Sequence, residues 1–245
     1  MNRSKPLALV TGATSGIGKA IAFALAEAGH EVIALGRSTA ALDQMQSHKG
    51  VRPLALDLTD REALATALDG EEIEVLVNNA GIIPPVVGFA EMDQSDIDAT
   101  LEVNLSAAIA TTRLVLPGMV ARGRGHLFFT GSIAGQAPFP NMAVYGASKA
   151  AISGFAAALR CDLSGSGVRV TEIVAGRVET ALYRDALSGQ ARADMYAAID
   201  AVQPDEVAQM LMAVLKMPTH VDVTRFDILP TAQFVGGGGI AKKDG

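Results

Sequence analysis

Tyr145 and Lys149 stand four residues apart in the run Tyr145-Gly-Ala-Ser-Lys149. On a helix that spacing puts both on one face. A phenol titrates near ~10, too high for easy proton cycling at neutral pH. A neighbouring ammonium favours the phenolate and brings that value down. The pair therefore has the makings of an acid/base that protonates an oxygen, such as that of a carbonyl receiving a hydride. Ser132, after an apolar run, could hydrogen-bond the same oxygen and hold it near Tyr145. A Tyr/Lys pair by itself is ordinary surface chemistry, so its meaning depends on the segments around it.

The first of these is Thr11-Gly12-Ala13-Thr14-Ser15-Gly16-Ile17-Gly18, between a strand candidate and a helix candidate. Glycines there let the backbone turn sharply and approach a pyrophosphate, while the helix N-terminus offers free N–H groups. Gly12 and Gly16 lie four apart, unlike G-x-G-x-x-G, and no Gly-Lys-Ser/Thr ending follows, which disfavours a triphosphate site. In dinucleotide folds an acidic residue ending the second strand holds the ribose hydroxyls of NAD. Here the chain reads Leu35-Gly36-Arg37-Ser38, with no carboxylate. Arg37 offers a guanidinium, and Ser38 a hydroxyl, to a 2′-phosphate. The expectation is NADP(H) rather than NAD(H), against the plainer reading of Arg37 as a solvated turn residue.

The elements that must position these residues alternate. Strands are predicted at Leu7–Val10, Val32–Leu35, Arg52–Leu56, Glu74–Val77, Gly125–Thr130, Val168–Val174 and Thr224–Leu229. Helices are predicted at Ile17–Ala28, Thr39–Gln46, Asp60–Leu68, Asp93–Ala121 with a kink or break near Pro117, Val144–Leu163 and Pro204–Lys216. One or two short helices are expected within Thr180–Ala201, and a mobile tail over 236–245. Repeating β and α segments predict an α/β fold, a doubly wound parallel sheet of the Rossmann kind, in a single domain over 1–245.

Composition fits this. Apolar residues make up 49 % of the 245-residue chain and aromatic residues 4 %, so the core must be aliphatic, as buried parallel strands prefer. A net charge of −6 argues against nucleic acid or an anionic membrane as partner. The lone Cys161 rules out an internal disulfide and suits a reducing compartment. The N-terminal apolar run is too short for a signal sequence, and no stretch approaches ~18 uninterrupted apolar residues, so no membrane span and a cytoplasmic location are expected. No metal is called for.

Taken together, the chain resembles the short-chain dehydrogenase/reductase family along nearly its whole length. Thr11–Gly18 matches the family's cofactor turn, Asn78-Asn79-Ala80-Gly81 its second signature, and Ser132, Tyr145 and Lys149 its Ser…Tyr-x-x-x-Lys set. The resemblance implies a catalytic set of Asn104, Ser132, Tyr145 and Lys149, with Asn104 helping to hold a water that relays protons from the lysine. It implies cofactor contacts from Gly12, Thr14, Ser15, Gly16, Ile17 and Gly18, from Asp57 and Leu58 at the adenine, and from Asn79, Ala80 and Gly81. Gly176, Val178 and Thr180 match the nicotinamide-side pattern, and Tyr145 and Lys149 reach the cofactor as well. One departure stands out. Where the family carries Pro-Gly, this chain has Ala175-Gly176, which frees a backbone angle and predicts a looser loop.

Leu116-Pro-Gly-Met-Val120, Leu159-Arg-Cys-Asp-Leu163, Val168-Arg-Val-Thr-Glu172, Met217-Pro-Thr-His-Val221 and Phe226-Asp-Ile-Leu-Pro230 are similar to the family's NADP-dependent 3-hydroxy acid and serine dehydrogenases. That branch implies a small hydroxy acid or its semialdehyde as substrate. A carboxylate needs a cation. Arg177, Arg184 and Arg192 are candidates, with Arg184 first, beside Ser132 and Tyr145 in the substrate-binding set. The alternative is an apolar pocket of Ile133, Ala134, Phe139, Pro140, Met142 and Leu182, suited to hydrophobic ketones, aldehydes or 3-oxoacyl thioesters. A non-enzymatic NADP(H) sensor or scaffold would be expected to lose part of Ser132, Tyr145 and Lys149, and none is lost. The resemblance also implies a homotetramer, or a dimer, often burying the two long helices, and the small residues over Ala147–Ala158 would allow close packing there.

Overall fold

The computed structural model describes residues 5–184, 186–197 and 199–234. The expected tail over 236–245 lies outside the described residues. Strands β1 (Leu7–Thr11), β2 (Glu31–Gly36), β3 (Val51–Ala55), β4 (Ile73–Asn78), β5 (Gly125–Ser132), β6 (Val168–Ala175) and β7 (Arg225–Ile228) form one sheet in the order β3-β2-β1-β4-β5-β6-β7. Every pairing is parallel. The chain winds outward from β1 to β3, then returns to lay β4 on the other side of β1. Ligands of such sheets sit at that switch point, beyond the strand C-termini.

Successive side chains of each strand serve opposite faces. Ala8, Val10, Val32, Ala34, Val75, Val77, Phe128 and Ile173 pack against α1 (Gly16–Glu27), α2 (Thr39–Met45) and α8 (Pro204–Leu215). Leu9, Ile33, Leu35, Leu76, Leu127, Phe129 and Val170 pack against α3 (Arg61–Ala67), α5 (Ala107–Arg122) and α6 (Ala143–Asp162). Local chemistry starts and stops several of these helices. Ser38 caps α2 by accepting from the Ala41 N–H at 3.3 Å, and Asp60 caps α3 by accepting from Ala63 at 3.0 Å. Pro204 opens α8, where Glu206 accepts from the Gln203 N–H at 2.8 Å. Gly123, with φ +65°, ends α5 in the left-handed conformation that glycine adopts freely.

The predicted elements are present, and one detail is corrected. The long helix over Gln94–Arg122 runs through Pro117 without ending there. Its irregularity is a π-turn at Glu102–Ser106, between α4 (Gln94–Leu101) and α5. At its centre Asn104 is tied through its side chain to Ile82 of an adjacent loop, and such π-turns are frequent at functional positions. This helix is long and apolar enough to cross a membrane, yet Thr111, Thr112, Val115 and Met119 are buried on the sheet side. The segment expected to hold short helices contains a 3₁₀ turn, Ala181–Tyr183, and α7 (Gly189–Ala197).

Candidate active site

The glycine turn is built where β1 ends. Gly12 and Gly16 have φ of +65° and +51°. A Cβ on Gly12 would lie 2.8 Å from the Ala80 Cα, so the two segments approach as only glycine permits. Thr11 stitches them. Its Oγ1 accepts from the N–H groups of Asn79 and Ala80, both at 3.0 Å, and donates to the Val77 carbonyl at 3.3 Å. Asn79 answers by donating through Nδ2 to the Thr11 and Gly12 carbonyls at 3.1 and 3.3 Å. Gly18 does not line the cleft. It lies against the Gly12 carbonyl and Asn79, where any side chain would collide.

Above the strand ends lies a cleft of about 440 Å³. It is lined by Gly12, Thr14–Ile17, Arg37, Ser38, Asp57, Leu58, Asn79–Gly81, Ser132, Tyr145, Lys149, Gly176, Val178, Thr180 and Arg184, so residues expected from distant segments share one wall. Val103 and Ile83, which the sequence did not single out, join them. At the β2 end, Asp57 does not pair with Arg37. Its Oδ1 accepts from the Thr59 N–H at 2.9 Å and hydroxyl at 2.8 Å, which holds its pKa below the usual carboxylate value. Among the described residues Arg37 makes no hydrogen bond or ion pair; its guanidinium lines the cleft and adds a smaller electrostatic lowering to the Asp57 pKa. Free phosphate-binding N–H groups, a glycine cradle and this guanidinium fit a phosphorylated dinucleotide.

Deeper in the cleft, β5 ends at Ser132, two residues beyond the predicted strand candidate. The first two turns of α6 carry Tyr145, Ser148 and Lys149, all buried. Lys149 Nζ donates to the Thr130 carbonyl at 2.8 Å and lies 5.8 Å from the centre of the Tyr145 ring. Burial lowers the Lys149 pKa to about 8, with Glu172 pulling it back up. Burial raises the Tyr145 phenol well above its usual value, Tyr183 pushes the same way, and a hydrogen bond with Ser132 opposes them. The lowering expected from Lys149 is not found: desolvation sets the direction, and the ammonium is turned to a main-chain carbonyl.

Asn104 does not line the cleft but acts behind it. Its Oδ1 accepts from the Ile82 N–H at 2.8 Å, and its Nδ2 donates to the Ile82 carbonyl at 2.9 Å and to Ser148 Oγ at 3.1 Å. Ser148 in turn donates to the Tyr145 carbonyl at 2.7 Å. The amide so joins the loop after Asn79-Ala80-Gly81 to the turn of α6 that bears Tyr145. Its side-chain bonds are to protein groups, where the family resemblance implied a role beside a water.

The outer wall is apolar around Tyr145. Ile83, Val86, Ala134, Phe139, Met142, Tyr183 and Ala186 pack together there. Of the apolar residues expected at the substrate, Ala134, Phe139 and Met142 are in this group and Leu182 lines the cleft, whereas Ile133 is buried outside it and Pro140 does not take part. Tyr183 was not anticipated. Its only sequence signal is an aromatic ring between Leu182 and Arg184. A second, more open cleft of about 580 Å³, lined by Lys19, Phe23, Glu179, Arg192 and Tyr196, lies behind Gly16 and Thr180. Arg184 lines both clefts and makes no ion pair among the described residues. Arg177 is committed elsewhere, donating to the Met195 carbonyl at 3.3 Å.

The loop after β6 is held despite its missing proline. Ala175 stands in the ladder opposite Ser132 and Ile228. Gly176 N–H donates to the Ile228 carbonyl at 2.9 Å, and Arg177 N–H to Gln233 Oε1 at 2.8 Å. Tyr196 of α7 donates its hydroxyl proton to the Val178 carbonyl at 3.1 Å and accepts from the Thr180 N–H at 3.3 Å.

Residues 6–191 match the family described as short chain dehydrogenase. An uncharacterized short-chain type dehydrogenase/reductase of Sinorhizobium fredii is 50 % identical, covering 99 % of this chain and 98 % of its own. An NADP-dependent 3-hydroxy acid dehydrogenase of Salmonella typhi is 35 % identical, covering 94 % of this chain and 97 % of its own. The closed form of a serine dehydrogenase complexed with NADP⁺ superimposes with a TM-score of 0.91 at 32 % identity, covering 97 % of this chain and 100 % of its own.

Proposed function

The chain belongs to the short-chain dehydrogenase family, an NADP(H)-dependent oxidoreductase acting on CH–OH groups, and on that premise we propose that Tyr145 is its acid/base and a small hydroxy acid or its semialdehyde its substrate. The observation that carries this reading is the meeting of Ser132, Tyr145 and Lys149 in one cleft that Arg184, with no ion pair among the described residues, also lines.

The cofactor, when bound, supplies the hydride to the carbonyl carbon and takes it back in the reverse direction. The Gly12–Gly18 turn and the N-terminus of α1 would hold its pyrophosphate, Arg37 with Ser38 its 2′-phosphate, and Asp57 with Leu58 its adenine. Asn79–Gly81 and Gly176, Val178 and Thr180 would line the nicotinamide side, and Lys149 the ribose. Ser132 and Tyr145 hold the carbonyl oxygen. Tyr145 gives it a proton, so the new C–H and O–H bonds complete the alcohol and leave a phenolate. Lys149 stabilises that phenolate until solvent returns a proton. Asn104 positions the Tyr145 turn through Ser148.

The acid-bearing substrate rests on Arg184 and on the names of relatives that act on a 3-hydroxy acid or serine. The apolar ring around Tyr145 favours a second reading, reduction of hydrophobic ketones. NADPH consumption with succinic semialdehyde, acetoacetyl thioester and acetophenone separates them. Preference for the semialdehyde, with its KM raised about tenfold or more in Arg184→Ala, supports the first reading. Preference for acetophenone, unmoved by that substitution, overturns it.

Assembly as a homotetramer through the two long helices is supported by Leu101, Ile109, Leu114 and Val120, exposed apolar residues of the Gln94–Arg122 helix. Light scattering that finds a monomer at micromolar concentration would contradict it. A cytoplasmic location fits the single cysteine, and a reporter fusion active only outside the cytoplasm would count against that.

A further inference from the structure

Glu172 is the one acid among the described residues that is buried, at 5 % exposure. Glutamate is almost never hidden to this degree without a partner. It follows Val170 on the face of β6 that meets α6, in register with Phe129 of β5. Ser153, one turn beyond Lys149 on α6, donates its hydroxyl proton to Glu172 Oε1 and lies 3.2 Å from the Lys149 carbonyl. The carboxylate lies over Gly131, where any side chain would collide with it. The preceding residue, Thr130, is the one whose carbonyl takes the Lys149 ammonium. Two buried groups of opposite charge, from different elements, therefore flank the same stretch of β5.

Building on the proposed roles of Tyr145 and Lys149, we infer that Glu172 is a positioning residue for this reaction, a buried counter-charge held by Ser153 that keeps Lys149 an ammonium under the Tyr145 phenol. The other neighbours cannot do this. Thr130 and Ser132 from β5 and Asn104 from the π-turn are neutral, and Tyr145 carries charge only after giving up its proton. Beside Glu172 on β7, Arg225 is turned to Asp227 at 2.7 Å. Burial lowers Lys149 to about 8 even with Glu172 opposing the fall. Lys149 is therefore charged below that value and loses its charge as pH rises through it. Removing the carboxylate leaves burial unopposed and moves the loss to lower pH.

The test titrates Lys149 by ¹³C NMR in protein labelled at lysine Cε, with Lys149→Met identifying the resonance. Glu172→Gln keeps the shape and a hydrogen-bond partner for Ser153 while removing the charge. Its Lys149 midpoint should fall by about one pH unit. The alkaline limb of kcat/KM for succinic semialdehyde, at saturating NADPH, should move the same way, with about tenfold lower rate at pH ~8.5 and a rate within about threefold at pH ~6. Ser153→Ala should give a smaller shift in the same direction, and it carries the test if Glu172→Gln does not fold. A Lys149 midpoint unchanged in the folded variants, or a rate loss equal at every pH, overturns the inference. Turnover surviving in Tyr145→Phe would instead overturn the roles on which it builds, leaving the NMR outcome to be judged separately.

Discussion

Tyr145 and Lys149 stand on a helix of 20 residues packed along the sheet, and Ser132 ends a strand of 8 residues in its interior. Leu182, Tyr183 and Arg184 stand on a 3₁₀ turn and its exit, between β6 and α8. The first region is held by a buried core; the second has a thinner hold, Tyr183 in a small apolar cluster and Val178 bridged to Val202, supplemented by the single bonds of Tyr196 to Val178, Arg177 to Met195, and Gln233 to Arg177. Core packing is cooperative and hard to change one residue at a time, whereas each such bond contributes about 1 kcal/mol and can be exchanged. The proton-transfer groups thus have fixed geometry, and the residues that would read the substrate sit where sequence can vary without cost to the fold.

The sharpest break of this comparison is on the rigid side. Tyr145→Phe keeps the ring in its buried place and removes only the hydroxyl. Turnover should fall by about 10²–10⁴-fold, the usual contribution of a positioned acid/base, while the Kd for NADPH, read by fluorescence quenching, stays within about twofold. Comparable turnover in wild type and variant would mean that the oxygen is protonated from elsewhere.

The two regions also differed in what could be read from the chain. Tyr145 and Lys149, like Gly12, Gly16 and Gly18, announce themselves by local spacing, because one helix face or one tight turn brings them together. Asn104 is legible as a residue but not as the centre of a π-turn tied to Ile82, a contact 22 residues away in the chain that no local pattern shows. Pro117 does not end this helix, and the π-turn lies elsewhere, around Asn104, where a tertiary contact and not a local breaker marks the spot. Glu172 looked like one more strand residue, and only strand register and the course of α6 bring it to Ser153. Tyr183 reaches Tyr145 through loop packing, which has no period to read. Ile133 and Pro140 adjoin Ala134 and Phe139 in sequence, but adjacency does not show which side chain turns into the wall.

A middle-sized effect tests the cofactor end, where Arg37 makes no side-chain hydrogen bond or ion pair to the other described residues. Arg37→Ala should lower kcat/KM for NADPH by about 10–100-fold, since a charge-assisted pair with a phosphate contributes about 1.5–3 kcal/mol. With NADH, which carries no 2′-phosphate, the change should stay within about twofold. Equal losses with both cofactors would show that Arg37 supports the turn and does not read the phosphate.

The smallest effect concerns the latch on the substrate side. Tyr196 of α7 is the only described side chain that bonds the loop at both Val178 and Thr180. Tyr196→Phe removes those bonds and leaves the ring in place. The loss is about 1 kcal/mol, so the Kd for NADPH should rise about fivefold. Thermal stability should hardly move, because the core clusters do not include this ring. That pairing of outcomes is what separates the two regions: a rigid-side deletion of similar size would lower stability, whereas this one should be visible only when the cofactor is bound. A fall in Tm with unchanged Kd would place α7 in the folding core and remove the distinction on which the comparison rests.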